Sequence, residues 1–213
     1  MEEKEKLQQV SQDFLERIKQ NLPSGKSSHL FVIGIVGLIG SGKTTIAKLL
    51  SEKLPGVVLV KSNSTRFLLK QAGLRWGDNV KELTFNAARW LLQSGYSIVF
   101  DGDHVEEKKR NNTQALADEM NAKFYLVRIK PDKDLSFQRL QKKWEELESG
   151  KLQQDYENFV VVIRGKEQNL FERVSLHEQL KNESLPQLVG EIDNAGDTEE
   201  LGKKVDEIVK KIT

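Results

Sequence analysis

The sequence predicts an α/β fold, a three-layer sandwich built on a mainly parallel sheet of about five strands. Two patterns predict it. From Leu30 onward, short apolar β-prone runs alternate with longer runs of helical periodicity, which is what successive strand–helix–strand units look like. One strand-to-helix junction, at residues 37–42, is a glycine-rich turn.

Leu7, Val10, Phe14, Ile18 and Leu22 recur at helical spacing within a charged stretch. They predict an amphipathic helix over 3–21 that lays one face on the main body. The turn-rich NLPSGKSS at 21–28 reads as linker, giving an N-terminal unit of residues 1–24 and a principal domain of 25–213. Strands are expected at 30–36, 57–61, 97–100, 123–129 and 188–192. Helices are expected near 43–54, 63–72, 78–94, 105–120, 132–148 and 198–212. The last opens with Asp197 and Glu200 at capping-box spacing and carries Leu201, Val205, Ile208, Val209 and Ile212 on one face. Residues 149–186 fit the alternation least. Tyr156, Phe159, Val160, Ile163, Leu170 and Val174 have helical spacing, interrupted by Gly165. They predict a helical insertion, with a lid region over about 139–180.

Composition narrows the function classes. Hydrophobic residues make up 38% of the chain, enough for a buried core, and the net charge of +1 leaves no polybasic arm for a nucleic acid. The absence of cysteine excludes disulfides, thiolate metal sites and cysteine nucleophiles. The segment MEEKEKLQQV lacks the basic start and apolar stretch of a secretory signal, and no apolar run approaches ~20 residues. The expectation is a soluble, cytoplasmic protein with no membrane partner.

The run Gly37-Leu38-Ile39-Gly40-Ser41-Gly42-Lys43-Thr44 satisfies G-x-x-x-x-G-K-[ST]. Glycines let the backbone curl with its N–H groups inward, and the following helix adds its positive N-terminal end. Lys43 is placed to reach the β- and γ-phosphates, and the Thr44 hydroxyl to ligate Mg²⁺. Gly37, Gly40, Ser41, Gly42, Lys43, Thr44 and Thr45 are therefore the candidate nucleotide-binding residues. LFVIGIV supplies a strand before the motif and TTIAKLL a helix after it. The echo SGKSS at 24–28 has Gln20 where the first glycine belongs, and reads as linker. No N-K-x-D guanine reader occurs in the chain, and DNAG at 193–196 is a weak, late match to D-x-x-G.

From about Val32 to Lys211 the chain resembles the small P-loop kinases grouped with phage polynucleotide kinase, zeta-toxin-like and adenylylsulfate-kinase-like enzymes, AAA-type ATP-binding proteins. The resemblance is carried by GLIGSGKTT (37–45), SNSTRFLLKQAG (62–73), AARWLLQSGYSIVFDGDHVEEKKR (87–110), AKFYLVRI (122–129), SFQRLQKK (136–143) and EIDNAGDTEEL (191–201). It implies an ATP- and Mg²⁺-dependent phosphotransferase acting on a hydroxyl or phosphate of a small-molecule or nucleotide-like acceptor. A polynucleotide end as acceptor has no support from net charge. Asp101 would then be the second acid of the site, for the metal's water shell or for the acceptor's proton, with Asp103 able to share the work. His104 is expected as a helix-cap or surface residue. Arg139 resembles the lid arginine of these kinases, and Lys142 and Lys143 stand where a second is often found. Arg110 and Arg164 are further candidates for substrate phosphate, and Arg66 matches a family arginine. Trp76, Trp90 and Arg75 lie near the expected acceptor side, with Trp90 in a core stripe.

One position departs from the family. An aspartate usually stands three residues before the arginine, and here it is Asn63. Asn63 cannot accept the acceptor's proton. Either Asp101 or Asp103 is the base, or the acceptor needs none, or the protein is a nucleotide-binding regulator or slow ATPase without ordinary kinase turnover.

Overall fold

The computed structural model describes residues 3–130, 132–161, 174–175, 178–179, 183–194 and 198–213. Five strands, β1 (Phe31–Val36), β2 (Val57–Lys61), β3 (Ser97–Asp103), β4 (Lys123–Lys130) and β5 (Leu188–Asp193), form one sheet. Their order is β2-β3-β1-β4-β5 and every pair is parallel. The helices are α1 (Glu3–Lys19), α2 (Lys43–Lys53), α3 (Ser62–Gln71), α4 (Gly77–Gln93), α5 (Glu107–Glu119), α6 (Lys133–Glu148) and α7 (Thr198–Ile212).

A parallel sheet covered on both faces needs apolar side chains on both, and β1 has them: all six residues are buried. The strand's two-residue period sorts them. Phe31, Ile33 and Ile35 join Ile46, Leu50, Leu201, Val205 and Ile208 in the core beneath α2 and α7. Val32 and Val36 join Val10, Phe14, Leu69, Leu83, Leu91 and Leu116 beneath α1, α3, α4 and α5. The result is the three-layer α/β sandwich.

Gly34 lies between Val32 and Val36 on that second face and supplies no side chain. The ring of His104 fills the space, so close that a β-carbon on Gly34 would lie 2.9 Å from His104 Cδ2. Phe100 and Phe124 flank the ring at centroid distances of 6.0 and 6.4 Å. His104 is therefore a core residue, 5% exposed, and not a cap or a surface group. The apolar gap beneath Gly34 outweighs the turn-like sequence around it.

The parallel switch order gathers the carboxyl ends of β1, β3 and β4 at one edge, where ligands bind in open α/β sheets. β3 also slips there. Val99 pairs with Ile33, but Asp103 pairs with Ile35, so β3 has two extra residues between those pairings. On its other side Asp101 stays in register with Lys61 of β2.

The expected insertion is only partly within the described residues, and its first part is not helical. Helix α6 ends at Glu148 with Ser149 as its C-cap, followed by Gly150 with φ +72°. Residues 151–161 then run as a non-helical strap. The Asp155 carboxylate accepts from the backbone N–H of Glu157 and Asn158 at 2.8 and 2.7 Å, an Asx-type turn that competes with helix. Tyr156 and Phe159, spaced as if for one helical face, go to separate partners. Phe159 is buried between Phe67 and Trp76, at centroid distances of 5.7 and 6.2 Å. Tyr156 lies under the Arg17 guanidinium at 4.6 Å, and its carbonyl accepts from Ser64 Oγ at 2.8 Å. Gly165 and Arg164 lie outside the described residues.

Candidate functional site

The glycine-rich loop joins β1 to α2. Gly40 and Gly42 have φ of +80° and +91°, values that side chains other than glycine resist. Space forbids side chains there too. A β-carbon on Gly40 would sit 2.4 Å from the Ser136 carbonyl oxygen of α6. Ser41 N–H donates to the Leu38 carbonyl at 3.1 Å, tightening the turn. Lys43 Nζ donates to the Gly37 and Leu38 carbonyls, both at 2.8 Å, so the ammonium lies within the curl of the loop. Ser41 Oγ is buried there without a hydrogen-bond partner. Gly42 is the N-cap of α2 and offers no side-chain cap, and the first turn carries no acidic residue. The helix thus turns its positive end, uncompensated by any side chain of that turn, toward the loop.

Thr44, in that first turn, donates its hydroxyl to Asp101 Oδ1 at 3.0 Å. This bond joins the loop to β3. Burial pushes the Asp101 carboxyl above its ordinary range, while the Thr44 hydrogen bond and the charges of Lys43, Lys61 and Lys143 draw it back down. Asp103, two residues on, makes a local bond: its Oδ1 accepts from Val105 N–H at 3.0 Å, where the chain turns toward α5.

The expected arginines divide. Arg139 reaches from α6 over the loop, its Nη1 3.8 Å from where a β-carbon of Gly42 would be. Arg66 donates to Asn63 Oδ1 at 2.8 Å, within α3. Arg110 is buried, and its Nη1 donates to the carbonyls of His104, at 3.1 Å, and Val105. It braces the turn that carries Asp103. Trp76 donates from Nε1 to the Arg66 carbonyl at 3.1 Å, and Trp90 packs against the core.

Three residues at this edge escaped the sequence reading. Lys61, the last residue of β2, pairs with Glu157 of the strap and sets its charge beside Asp101. Asn194, just after β5, donates from Nδ2 to the Ser41 carbonyl at 2.7 Å. The signal for Lys61 and Asn194 was positional: polar residues ending apolar parallel strands. Nothing local marks Glu157.

A family model described as an AAA domain matches residues 32–155, more than half of the chain. The chain belongs to the AAA-domain family. The matched span runs from β1 to the strap and includes the glycine loop, Asp101 and Arg139.

No curated protein matches the chain closely enough to count. Solved structures share the fold of this AAA-domain protein at low identity. One is from the PezAT chromosomal toxin–antitoxin system of Streptococcus pneumoniae, 16% identical with TM-score 0.62, covering 99% of this chain and 88% of that one. Another is Kti12 of Chaetomium thermophilum in complex with ADP-AlF3, 15% identical with TM-score 0.61, covering 85% and 99%. A gluconokinase from Sinorhizobium meliloti 1021 is 14% identical with TM-score 0.53, covering 85% and 93%. Among the described residues no helix is long and apolar enough to cross a membrane.

Proposed function

We propose that the protein is an ATP- and Mg²⁺-dependent phosphotransferase that moves the γ-phosphoryl group of ATP to a hydroxyl or phosphate of a small-molecule or nucleotide-like acceptor. The observation that carries this reading is the Thr44–Asp101 hydrogen bond at 3.0 Å. It brings an oxygen of the phosphate loop and a carboxylate of the neighbouring strand together beside Lys43, as a loop-and-strand metal site requires.

The donor set fits the two groups. The uncapped end of α2, the Lys43 ammonium and the glycine curl suit a polyphosphate. Thr44 and Asp101 would hold Mg²⁺. Among the described residues no cluster of three His, Asp or Glu could hold a metal alone, which suits an ion that takes few protein ligands and shares the phosphates. When bound, Mg²⁺ neutralises charge on the phosphate oxygens. Lys43 turns from the loop carbonyls to the phosphates, and Arg139 supplies a guanidinium over the loop for charge that spreads during transfer. Burial keeps the Asp101 carboxylate basic, suited to holding the metal's water shell or to taking the acceptor's proton. Asp103 is the second candidate base. Arg66 and, outside the described residues, Arg164 are assigned to substrate phosphate.

A second reading rests on Asn63, whose Oδ1 is taken by Arg66. An amide there cannot act as base, which favours a nucleotide-binding regulator or slow ATPase. One experiment separates the two. Purified protein is incubated with γ-labelled ATP, Mg²⁺ and a panel of hydroxyl and phosphate acceptors, with Lys43→Ala as the control. Acceptor-dependent transfer by the parent alone supports the kinase. ATP hydrolysis indifferent to every acceptor, converted to transfer by Asn63→Asp, supports the regulator. No nucleotide-dependent change in melting temperature would remove both.

A further inference from the structure

The residue after β5 touches the phosphate loop in two ways. Asn194 Nδ2 donates to the Ser41 carbonyl at 2.7 Å. That same nitrogen occupies the place a side chain on Gly42 would need, 2.0 Å from a β-carbon built there. The main-chain oxygen of Asn194 accepts from Arg139 Nη2 at 2.9 Å. Arg139 and the Asn194 amide therefore converge on Gly42 from α6 and β5.

The peptide between Ser41 and Gly42 makes this contact directional. In a trans peptide the carbonyl and the N–H point opposite ways. Fixing the Ser41 carbonyl on Asn194 therefore aims the Gly42 N–H away from Asn194. At φ +91° Gly42 is in a region with no side chain of its own to restrict it, so an outside partner has to set that peptide's orientation. We propose that Asn194 is a positioning residue of the phosphate loop: it presets the Gly42 N–H toward bound phosphate and anchors Arg139 above it. This rests on the nucleotide reading of the loop. The bond also explains why Gly42 must lack a side chain on that side, independently of its backbone angle.

The inference separates cleanly from recognition of a nucleotide base, because it acts on phosphate alone. Two probes are titrated calorimetrically with Mg²⁺: a non-hydrolysable ATP analogue and inorganic tripolyphosphate. The proteins are the parent, Asn194→Ala and the isosteric Asn194→Asp. Asn194→Ala should weaken both probes roughly threefold to tenfold, the worth of one neutral hydrogen bond. Asn194→Asp sets a carboxylate against the Ser41 carbonyl and the incoming phosphate, and should weaken both by on the order of tenfold or more. Hydrogen exchange at the amides of 40–45 should quicken in Asn194→Ala while β1 stays protected. If Asn194→Ala melts below the parent before ligand is added, the isosteric variant carries the test. Unchanged affinity for both probes overturns the inference, and so does loss for the ATP analogue with tripolyphosphate unaffected. A parent that binds neither probe overturns the nucleotide reading first, and this inference with it.

Discussion

His104 makes the stability of this protein depend on mild acid. Burial holds its imidazole neutral, lowering its pKa from 6.5 to about 4, with the Asp103 charge pulling the other way. Its Nε2 lies 3.2 Å from Thr113 Oγ1 and its Nδ1 has no partner. Above pH 6.5 folded and unfolded chains both carry a neutral ring, and the group adds no slope. As pH falls from 6.5 toward 4, the unfolded chain takes up a proton that the folded chain refuses, so stability drops. Below about 4 both are protonated and the loss is complete. At about 1.4 kcal/mol per unit of pKa difference, the total is about 3 kcal/mol, and about 2 kcal/mol of it is spent by about pH 5. Asp101 acts in the opposite sense, because its raised carboxyl binds a proton more readily folded than unfolded. Urea unfolding at about pH 7.5 and about pH 5, repeated in Asp101→Asn to remove that counter-slope, measures the term. His104→Gln should flatten the profile between those two values. Proton NMR gives a direct reading, with the His104 ring signal unmoved until about pH 4. Titration of that signal near 6.5, or an equal slope in His104→Gln, would refute the reasoning.

Three further outcomes are expected. Lys43→Ala should keep the parent's melting temperature without ligand and lose the rise with Mg²⁺ and ATP, a linkage of ~2.7 kcal/mol at a hundred times Kd; scanning calorimetry checks it. Asp101→Asn should lower transfer by ~10²–10⁴-fold while ATP binding survives better than turnover, and Asn63→Asp should leave or raise transfer; initial rates in both, and in Asp103→Asn, assign the base. Gly34→Ala should destabilise by ~1–3 kcal/mol, since its new carbon meets the His104 ring at 2.9 Å, and the smaller ring-free His104→Ala should lessen that penalty in a double-mutant cycle.

The architecture was legible because its signals are local and redundant. All five strands and the flanking helices lie within a few residues of where the apolar periods put them, as β1 and α7 show. Other features were not legible, because they depend on neighbours distant in sequence. His104 follows a turn-like Asp-Gly-Asp, and only the missing side chain of Gly34, 70 residues earlier, draws it inside. The strap's apolar spacing matched a helix, yet one Asx-type turn at Asp155 and two docking surfaces, Phe67 with Trp76 and Arg17, settle its path. The motif named the loop, but the contact from Asn194 spans 153 positions.

The two-residue slip of β3 against β1 has a consequence for how this edge can change length. Side chains alternate along a strand, so an offset of two leaves every residue on its original face, whereas an offset of one turns each over. Inserting or deleting a pair of residues around Gly102 would keep the Asp101 side of β3 toward the same layer and could be absorbed where pairing is already out of step. A single-residue change ahead of Asp101 would turn its carboxylate from the Val99 side, where it meets Thr44 of α2, to the side of Ile98 and Phe100, against the apolar packing under α3, α4 and α5. Natural drift and laboratory libraries alike should therefore sample this strand in even steps.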